Sequence, residues 1–269
     1  MSVDNPWRRH LARRRALLVV PSLAFAVLAI FLAVTVVAGG PDRGPLDWAV
    51  LAPFLLIMVW ESFVVWQLVL GFAAWARGER GLSALERRAA QVEPVSTGRS
   101  RTALVVPIYE EDAHAVFAAL RVMASSLART GAADDVDVHV LSDTQDPGTA
   151  LDEEREHGAL LAWARGAGSG LPSFTYRRRA DNSGRKAGNV SEFLRRRGDD
   201  YDFMIVLDAD SLMSGETMRR LIRLMEENPR VGAIQTISYA TGRETLFARI
   251  QQFAVRLYAP LALRGLEFW

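Results

Sequence analysis

Two aspartates, Asp208 and Asp210, stand directly after an apolar run, Phe203 to Leu207. In an extended segment residues i and i+2 point the same way. Two carboxylates so placed beside buried β-structure repel each other unless a cation lies between or next to them. A hard divalent ion, Mg²⁺ or Mn²⁺, suits carboxylate oxygens and usually bridges to substrate phosphates. The plain alternative is a solvated turn that feeds an acidic cap into the next helix. The strongly buried strand expected ahead of this pair favours the metal. Lys186 is the second candidate. It is the sole lysine among 32 basic residues, and it lies in Arg185-Lys186-Ala187-Gly188-Asn189, at the expected start of a helix. The dipole makes a helix N-terminus an unfavourable place for a cation. A lysine there makes sense if an anion docks, so that the helix start, Lys186 and the metal face one pyrophosphate.

These candidates need elements to position them. Thr102 to Ile108 reads as a strand and leads into Pro107-Ile108-Tyr109-Glu110-Glu111-Asp112. Val136 to Ser142 is a second strand, followed by Asp143-Thr144, and Phe174 to Arg178 a third. Phe203 to Leu207 is the fourth and Val231 to Ile237 the fifth. Helical patterns fall between them at Ala113–Arg129, Leu151–Gly166, Gly188–Arg197 and Ser214–Asn228, the last with Ser214 as N-cap and Glu216 in the first turn. Alternating strands and helices predict an α/β domain with a mostly parallel sheet covered on both faces. Such sheets bind ligands beyond the carboxyl ends of their strands, where strand order reverses. Three strands run into carboxylates, so the acids are expected to converge on one edge. His10, His114, His139 and His157 show no metal-ligand spacing, and no phosphate-binding glycine loop or serine-nucleophile motif appears. Arg177, Arg178 and Arg179 read as a solvated loop or a membrane-surface contact.

Composition bounds the rest. Half of the 269 residues are apolar, 23% are charged, net charge is +1 and there is no cysteine. Disorder and disulfide scaffolds are excluded, and near-neutral charge argues against a nucleic-acid partner. Ala16 to Ala38 carries no charge, and Trp48 to Ala76 carries only Glu61. Each is long enough, at about 1.5 Å per helical residue, to cross a hydrocarbon core of about 30 Å. Arg8, Arg9, Arg13, Arg14 and Arg15 precede the first run, and Arg77, Arg80, Arg87 and Arg88 follow the second. The intervening loop has only Arg43. The positive-inside rule therefore predicts cytoplasmic ends and a cytoplasmic soluble domain. Glu61, near the middle of its span, is either a packing carboxyl or a functional one.

The ordered strings PIYEED, LSDT, RKAGN, VLDADS and IQT together resemble the processive, membrane-integrated family 2 glycosyltransferases, the cellulose-synthase-like group. The longer strings VLSDTQDP, VLDADSLMSGETMRRLIRLMEENP and TLFARIQQFAVRLYAPLALRGLEFW resemble the branch that builds osmoregulated periplasmic glucans at the bacterial inner membrane. The resemblance runs from Arg101 to Trp269. It implies a GT-A-like fold and inverting glucosyl transfer from UDP-glucose to a growing β-glucan, with Mg²⁺ or Mn²⁺ as cofactor. By resemblance, Pro107, Glu111 and Asp143 lie on the nucleotide side and Lys186 faces the diphosphate. Asp208 and Asp210 form the metal pair, and Gln235 with Thr236 lies near the acceptor channel. Glu110 departs from the asparagine common at its position. Thr245 to Leu263 resembles an amphipathic interface helix. The implied partners are UDP-glucose, the glucan acceptor and the lipid bilayer, with acyl carrier protein and periplasmic glucan-maturation proteins as further ones.

The family's catalytic base and its QxxRW acceptor motif fall beyond Trp269. The expectation is therefore a donor-binding half, cut before the base and inactive alone. The resulting layout is a basic N-terminus at 1–15, a two-helix hairpin at 16–76 and a linker at 77–100. A nucleotide-sugar domain at 101–240 and an interface helix at 241–269 complete it. The competing expectation is a catalytically inactive, membrane-anchored nucleotide-sugar-binding or assembly protein. A nucleotidyltransferase ranks below both, because its glycine-rich basic signature near the first strand is missing.

Overall fold

Apolar residues in β1 (Thr102–Ile108) alternate between two faces, and that alternation organises one of the two units of the chain. The computed structural model describes residues 6–39, 44–77, 100–242 and 244–268. The unit built on β1 also contains α3 (Ala113–Ala128), β2 (Val136–Ser142), α4 (Pro147–Ala167) and β3 (Ser173–Arg178). Then follow α5 (Arg185–Arg197), β4 (Phe203–Val206) and α6 (Gly215–Glu227). All strand pairs are parallel, in the order β3-β2-β1-β4. Leu104, Val106 and Ile108 of β1 and Val136, Val138 and Val140 of β2 face one side. There they pack on Val116, Phe117 and Leu120 of α3, Leu160 of α4 and Met218 and Ile222 of α6. Ala103, Val105 and Leu141 face the other side, against Phe193 of α5. One face thus carries three helices and the other carries one. That follows from the connections: the chain moves outward from β1 to β3 and then returns across the opposite face to β4. The reversal lies beside β1, so the crevice at its carboxyl end is the favoured ligand position.

Three sequence expectations change here. The fourth strand is an edge, only half-buried, with Val206 exposed, because β1 flanks it on one side alone. Residues 231–237 form no strand. Val231, Ile234 and Ile237 supply β composition, but Gly232 and Ala233 break the alternation and no ladder partner takes the segment up. Asp208 does not continue an extended segment either. Its carbonyl accepts from Ser211 N–H at 3.0 Å, closing a turn that contains Asp210. Two residues apart in a turn is not the same-face geometry expected of a strand.

The second unit consists of α1 (Pro6–Gly39), α2 (Pro45–Ala76) and α7 (Leu246–Phe268). Leu11–Gly39 and Pro45–Ala76 are long and apolar enough to cross a membrane. Trp66 of α2 donates from Nε1 to the Leu17 carbonyl of α1 at 2.6 Å. Gln67 donates to the Ala262 carbonyl of α7 at 3.0 Å. The α2–α7 contact depends on glycine. A Cβ at Gly71 would lie 2.0 Å from the Leu261 carbonyl oxygen, and one at Gly265 would lie 2.2 Å from that of Gln67. Small residues let helix backbones approach this closely. On α7, Leu246, Phe247, Ile250, Phe253 and Leu257 are exposed. Glu61 is exposed as well. Arg43, Arg80, Arg87, Arg88 and most of the linker lie outside the described residues.

Candidate functional site

Four strand ends supply the candidate residues, and the sheet order fixes which are neighbours. β1 runs between β2 and β4, so its loop, Tyr109 to Asp112, stands between the Asp143 end and the Asp208 end. Pro107 is buried in β1. Val105 C=O accepts from Leu207 N–H on the β4 side, and Ile108 C=O accepts from Asp143 N–H on the β2 side. Pro107 therefore faces the β4 side, where the strand has already ended at Val206. A residue without an N–H costs no ladder bond there.

At the β2 end, Asp143 is almost fully buried. Arg179 donates to it twice, from Nε to Oδ1 and from Nη2 to Oδ2, the latter at 2.9 Å. Asn189 Nδ2 donates to Oδ1 at 2.9 Å and to the Leu141 carbonyl at 3.0 Å. Asn189 Oδ1 in turn accepts from Arg177. The hydrogen bond from Arg179 to Asp143 holds the guanidinium above its ordinary range, while burial pulls Arg177 below it. A carboxylate offers about four acceptor positions, and three are used here. Asp143 is locked, with one lone-pair direction left.

At the β4 end the picture is open. Lys186 Nζ pairs with Asp208 Oδ1, and both side chains are at least half exposed, 51% and 67%. Asp210 is exposed in its turn. Lys186 and Asn189 lie three residues apart, on one side of the first turn of α5. That single turn therefore reaches both strand ends: Asn189 to Asp143 and Lys186 to Asp208. Gly188 makes the turn possible. A Cβ there would lie 2.1 Å from the Ser183 carbonyl oxygen. The loop before α5 folds back on it, with Gly184 at φ 69° and Arg185 at φ 49°. Arg179 Nη2 also donates to the Arg185 carbonyl at 2.9 Å, which ties that loop to the Asp143 corner.

The structure brings Asp143, Lys186 and Asp208 into this one arrangement. It treats the other expected residues differently. Glu111 is exposed and lines a depression of about 380 Å³ with His114, Thr149, Asp152, Arg155 and Glu156; Asp143, Lys186 and Asp208 do not line it. Gln235 and Thr236 belong to the helical unit, with Gln235 exposed. Asp112 caps α3, accepting from Ala115 N–H at 3.2 Å, and Asp146 caps α4, accepting from Thr149 N–H at 2.7 Å. That backbone donation holds the Asp146 carboxyl below its ordinary range.

Arg177 and Arg179 lie neither in a solvated loop nor at a free surface, the two expectations for the arginine run: Arg177 is part of β3 and Arg179 follows it directly. Both are substantially buried and face the Asp143 corner. Period-2 alternation held the signal. Thr175, Arg177 and Arg179 share one side, and Thr175 already meets buried His139 at 2.6 Å. Asn189 and Thr144 fall inside the strings RKAGN and LSDT, but nothing in those strings says what either side chain meets. Their roles depend on which strand ends are neighbours.

A model of the family described as "Glycosyl transferase family 2" matches residues 103–267. The chain belongs to glycosyl transferase family 2. Within the family it is similar to proteins named glucans biosynthesis glucosyltransferase H. The relative from Pseudomonas paraeruginosa is 43% identical over 224 residues, covering 83% of this chain and 25% of the relative. That from Ralstonia nicotianae is 43% identical over 267 residues, covering 98% and 30%. That from Dickeya dadantii is 36% identical over 293 residues, covering 99% and 33%. The chain spans about a quarter to a third of the length of these curated relatives. The family match takes in all four strands apart from the first residue of β1, and so includes the Asp143–Arg179–Asn189 corner and the Lys186–Asp208 pair.

Proposed function

We propose that this chain is the donor-binding portion of a membrane-anchored glucosyltransferase, binding UDP-glucose for transfer to a growing β-glucan. One observation carries the reading: the first turn of α5 bridges the carboxyl ends of β2 and β4, across the end of β1. Asp143, held rigid by Arg179 and Asn189, offers its remaining acceptor direction to the uridine. Lys186 and the positive end of the α5 dipole face the diphosphate.

Asp208 and Asp210 fit a hard divalent cation by the chemistry of their oxygens. Among the described residues no group of three His, Cys, Asp or Glu side chains converges, so these two aspartates would hold such an ion together with oxygens from outside the protein. When bound, the cation supplies charge stabilisation to the departing diphosphate. In the free chain Lys186 neutralises Asp208, and donor binding draws its ammonium towards the phosphates. The family commonly uses a divalent metal, which agrees with this assignment. Inversion at the anomeric carbon is part of the proposal, and it requires a base that deprotonates the acceptor hydroxyl. The apolar helices α1 and α2 hold the unit at the inner membrane with the sheet on the cytoplasmic side, where nucleotide sugars are found.

Calorimetric titration of the chain with UDP-glucose in the presence and absence of Mn²⁺ tests this. The wild type binds more tightly with Mn²⁺, and Asp210→Ala removes that gain. Equal binding by the two proteins would defeat the metal assignment. The reading of an inactive sugar-nucleotide binder shares this site, so it predicts the same titration and differs only in turnover.

A further inference from the structure

Glu153 in α4 is fully buried, and among the described residues no arginine or lysine pairs with it. Three hydroxyls donate to it instead: Ser142 at 2.6 Å, Thr144 at 2.5 Å and Tyr176 at 2.8 Å. A carboxylate only accepts, so it orients all three O–H groups towards itself. Each oriented hydroxyl then turns its lone pairs outward. Ser142 Oγ accepts from Thr144 N–H at 3.1 Å, beside Asp143. Thr144 Oγ1 accepts from Glu110 N–H at 2.9 Å. Glu110 is held at φ 53°, a conformation that a glutamate adopts only at a cost. The loops after β1 and β2 are therefore fixed from below by one buried carboxylate. Tyr176 also lies within hydrogen-bond reach of the Ser142 hydroxyl, but the backbone N–H groups of Thr144 and Glu110 go to Ser142 and Thr144 and not to Tyr176. Burial, and donation to Glu153, push its hydroxyl pKa up, so it stays a donor.

We infer that Glu153 is a positioning residue for the nucleotide cleft, setting through Ser142 and Thr144 the loops that carry Asp143 and Glu110-Glu111. The inference rests on the reading that this cleft takes a nucleotide. An amide in place of the carboxylate brings its own N–H donors. Ser142 or Thr144 must then accept from the amide, so its own hydrogen leaves residue 153 and turns into its remaining direction, and the fixed orientation that receives the N–H of Thr144 or Glu110 is lost.

The test uses the full chain and two readouts: calorimetry with UDP, and hydrogen exchange of the backbone amides of Glu110 and Thr144. Glu153→Gln is expected to weaken UDP binding about fivefold or more, the size of one lost hydrogen bond, and to speed exchange at both amides. Thr144→Val acts in the same direction and speeds exchange at Glu110. Tyr176→Phe also removes a donor to Glu153, yet leaves UDP affinity within about twofold, because the backbone N–H groups of Thr144 and Glu110 are held by Ser142 and Thr144 and not by that hydroxyl. Leu160→Ala, in the core beneath the same helix, lowers Tm without changing UDP affinity. Unchanged affinity and exchange in a folded Glu153→Gln protein would overturn the inference and leave the nucleotide reading intact. So would an equal loss of affinity in Tyr176→Phe and Leu160→Ala, which would make Glu153 a stability residue only. A wild type that does not bind UDP would instead overturn the nucleotide reading, and the positioning role with it.

Discussion

The two strand ends joined by the first turn of α5 differ in burial, and that governs their behaviour. At the β2 end, Asp143, Arg179 and Asn189 are buried and mutually satisfied. At the β4 end, Lys186, Asp208 and Asp210 are exposed, and the one pair among them lies in solvent. Buried ion pairs are costly to break, because the remaining charge is left without water. Exposed pairs contribute roughly 0–1 kcal/mol and rearrange freely. A site that must recognise a fixed nucleoside and also admit a cation with its phosphates needs both behaviours. In the proposed function the locked end supplies a template for the nucleoside, and the open end supplies groups that change partner when cation and phosphates bind.

The largest expected effect attacks the locked end. Asp143→Ala takes both short hydrogen bonds from the buried Arg179 and leaves it Glu192 at 3.9 Å, and should cost about 3 kcal/mol in urea unfolding. A cost below about 1 kcal/mol would erase the contrast between the ends. pH acts on the same half. His139 lies between Thr175 and Tyr201, near Asp137, Arg101, Arg197 and Asp200, and burial, then the Arg197 charge, holds it down to about 4. Between about pH 6.5 and 4 the unfolded histidine takes a proton that the folded one refuses. Stability should therefore fall as pH drops through that window and level off below it. His139→Gln removes this part of the slope in thermal scans at fixed pH.

Gly188→Ala forces the loop before α5 away from the helix and should cost about 1–3 kcal/mol. It should also weaken UDP binding, because the turn that joins the two ends is displaced. At Glu110, asparagine tolerates the positive φ better, so Glu110→Asn should stabilise by about 0.5 kcal/mol in the same unfolding assay. The smallest effect on stability belongs to the open end. Lys186→Gln should stay within about 0.5 kcal/mol of wild type. The same variant should lose about tenfold in UDP affinity, the loss of one charge-assisted contact. A stability loss matching that of Asp143→Ala would show that the open end is structural too.

The sequence made the two ends unequally legible. Lys186 and Asp208 stood out through residue type and position beside expected elements, and both sit where strand ends meet. The first two strands were readable because Thr102–Ile108 is a continuous apolar run, as central parallel strands are, and Val136–Leu141 sets valines in alternation with Asp137 and His139. The exposure of β4 was hidden, because an apolar run reads alike in an edge and a central strand. The segment 231–237 has strand composition but no partner, and partners are not written in composition. Arg179 was misread for the same kind of reason. An arginine run looks solvated until a buried carboxylate on the neighbouring strand end is found opposite it. Glu153 carried no motif at all; its importance lies in three hydroxyls from two strand ends meeting on one helix face.

The central claim is that the two ends read two parts of one ligand, and uridine compared with UDP tests it most directly. Both are titrated into wild type and Lys186→Gln, with and without Mn²⁺. The account predicts that wild type binds UDP more tightly than uridine and that Mn²⁺ strengthens UDP alone. Lys186→Gln should lower affinity for UDP while leaving that for uridine unchanged. Equal losses for uridine and UDP in Lys186→Gln, or a wild type that binds both alike in Mn²⁺, would contradict it.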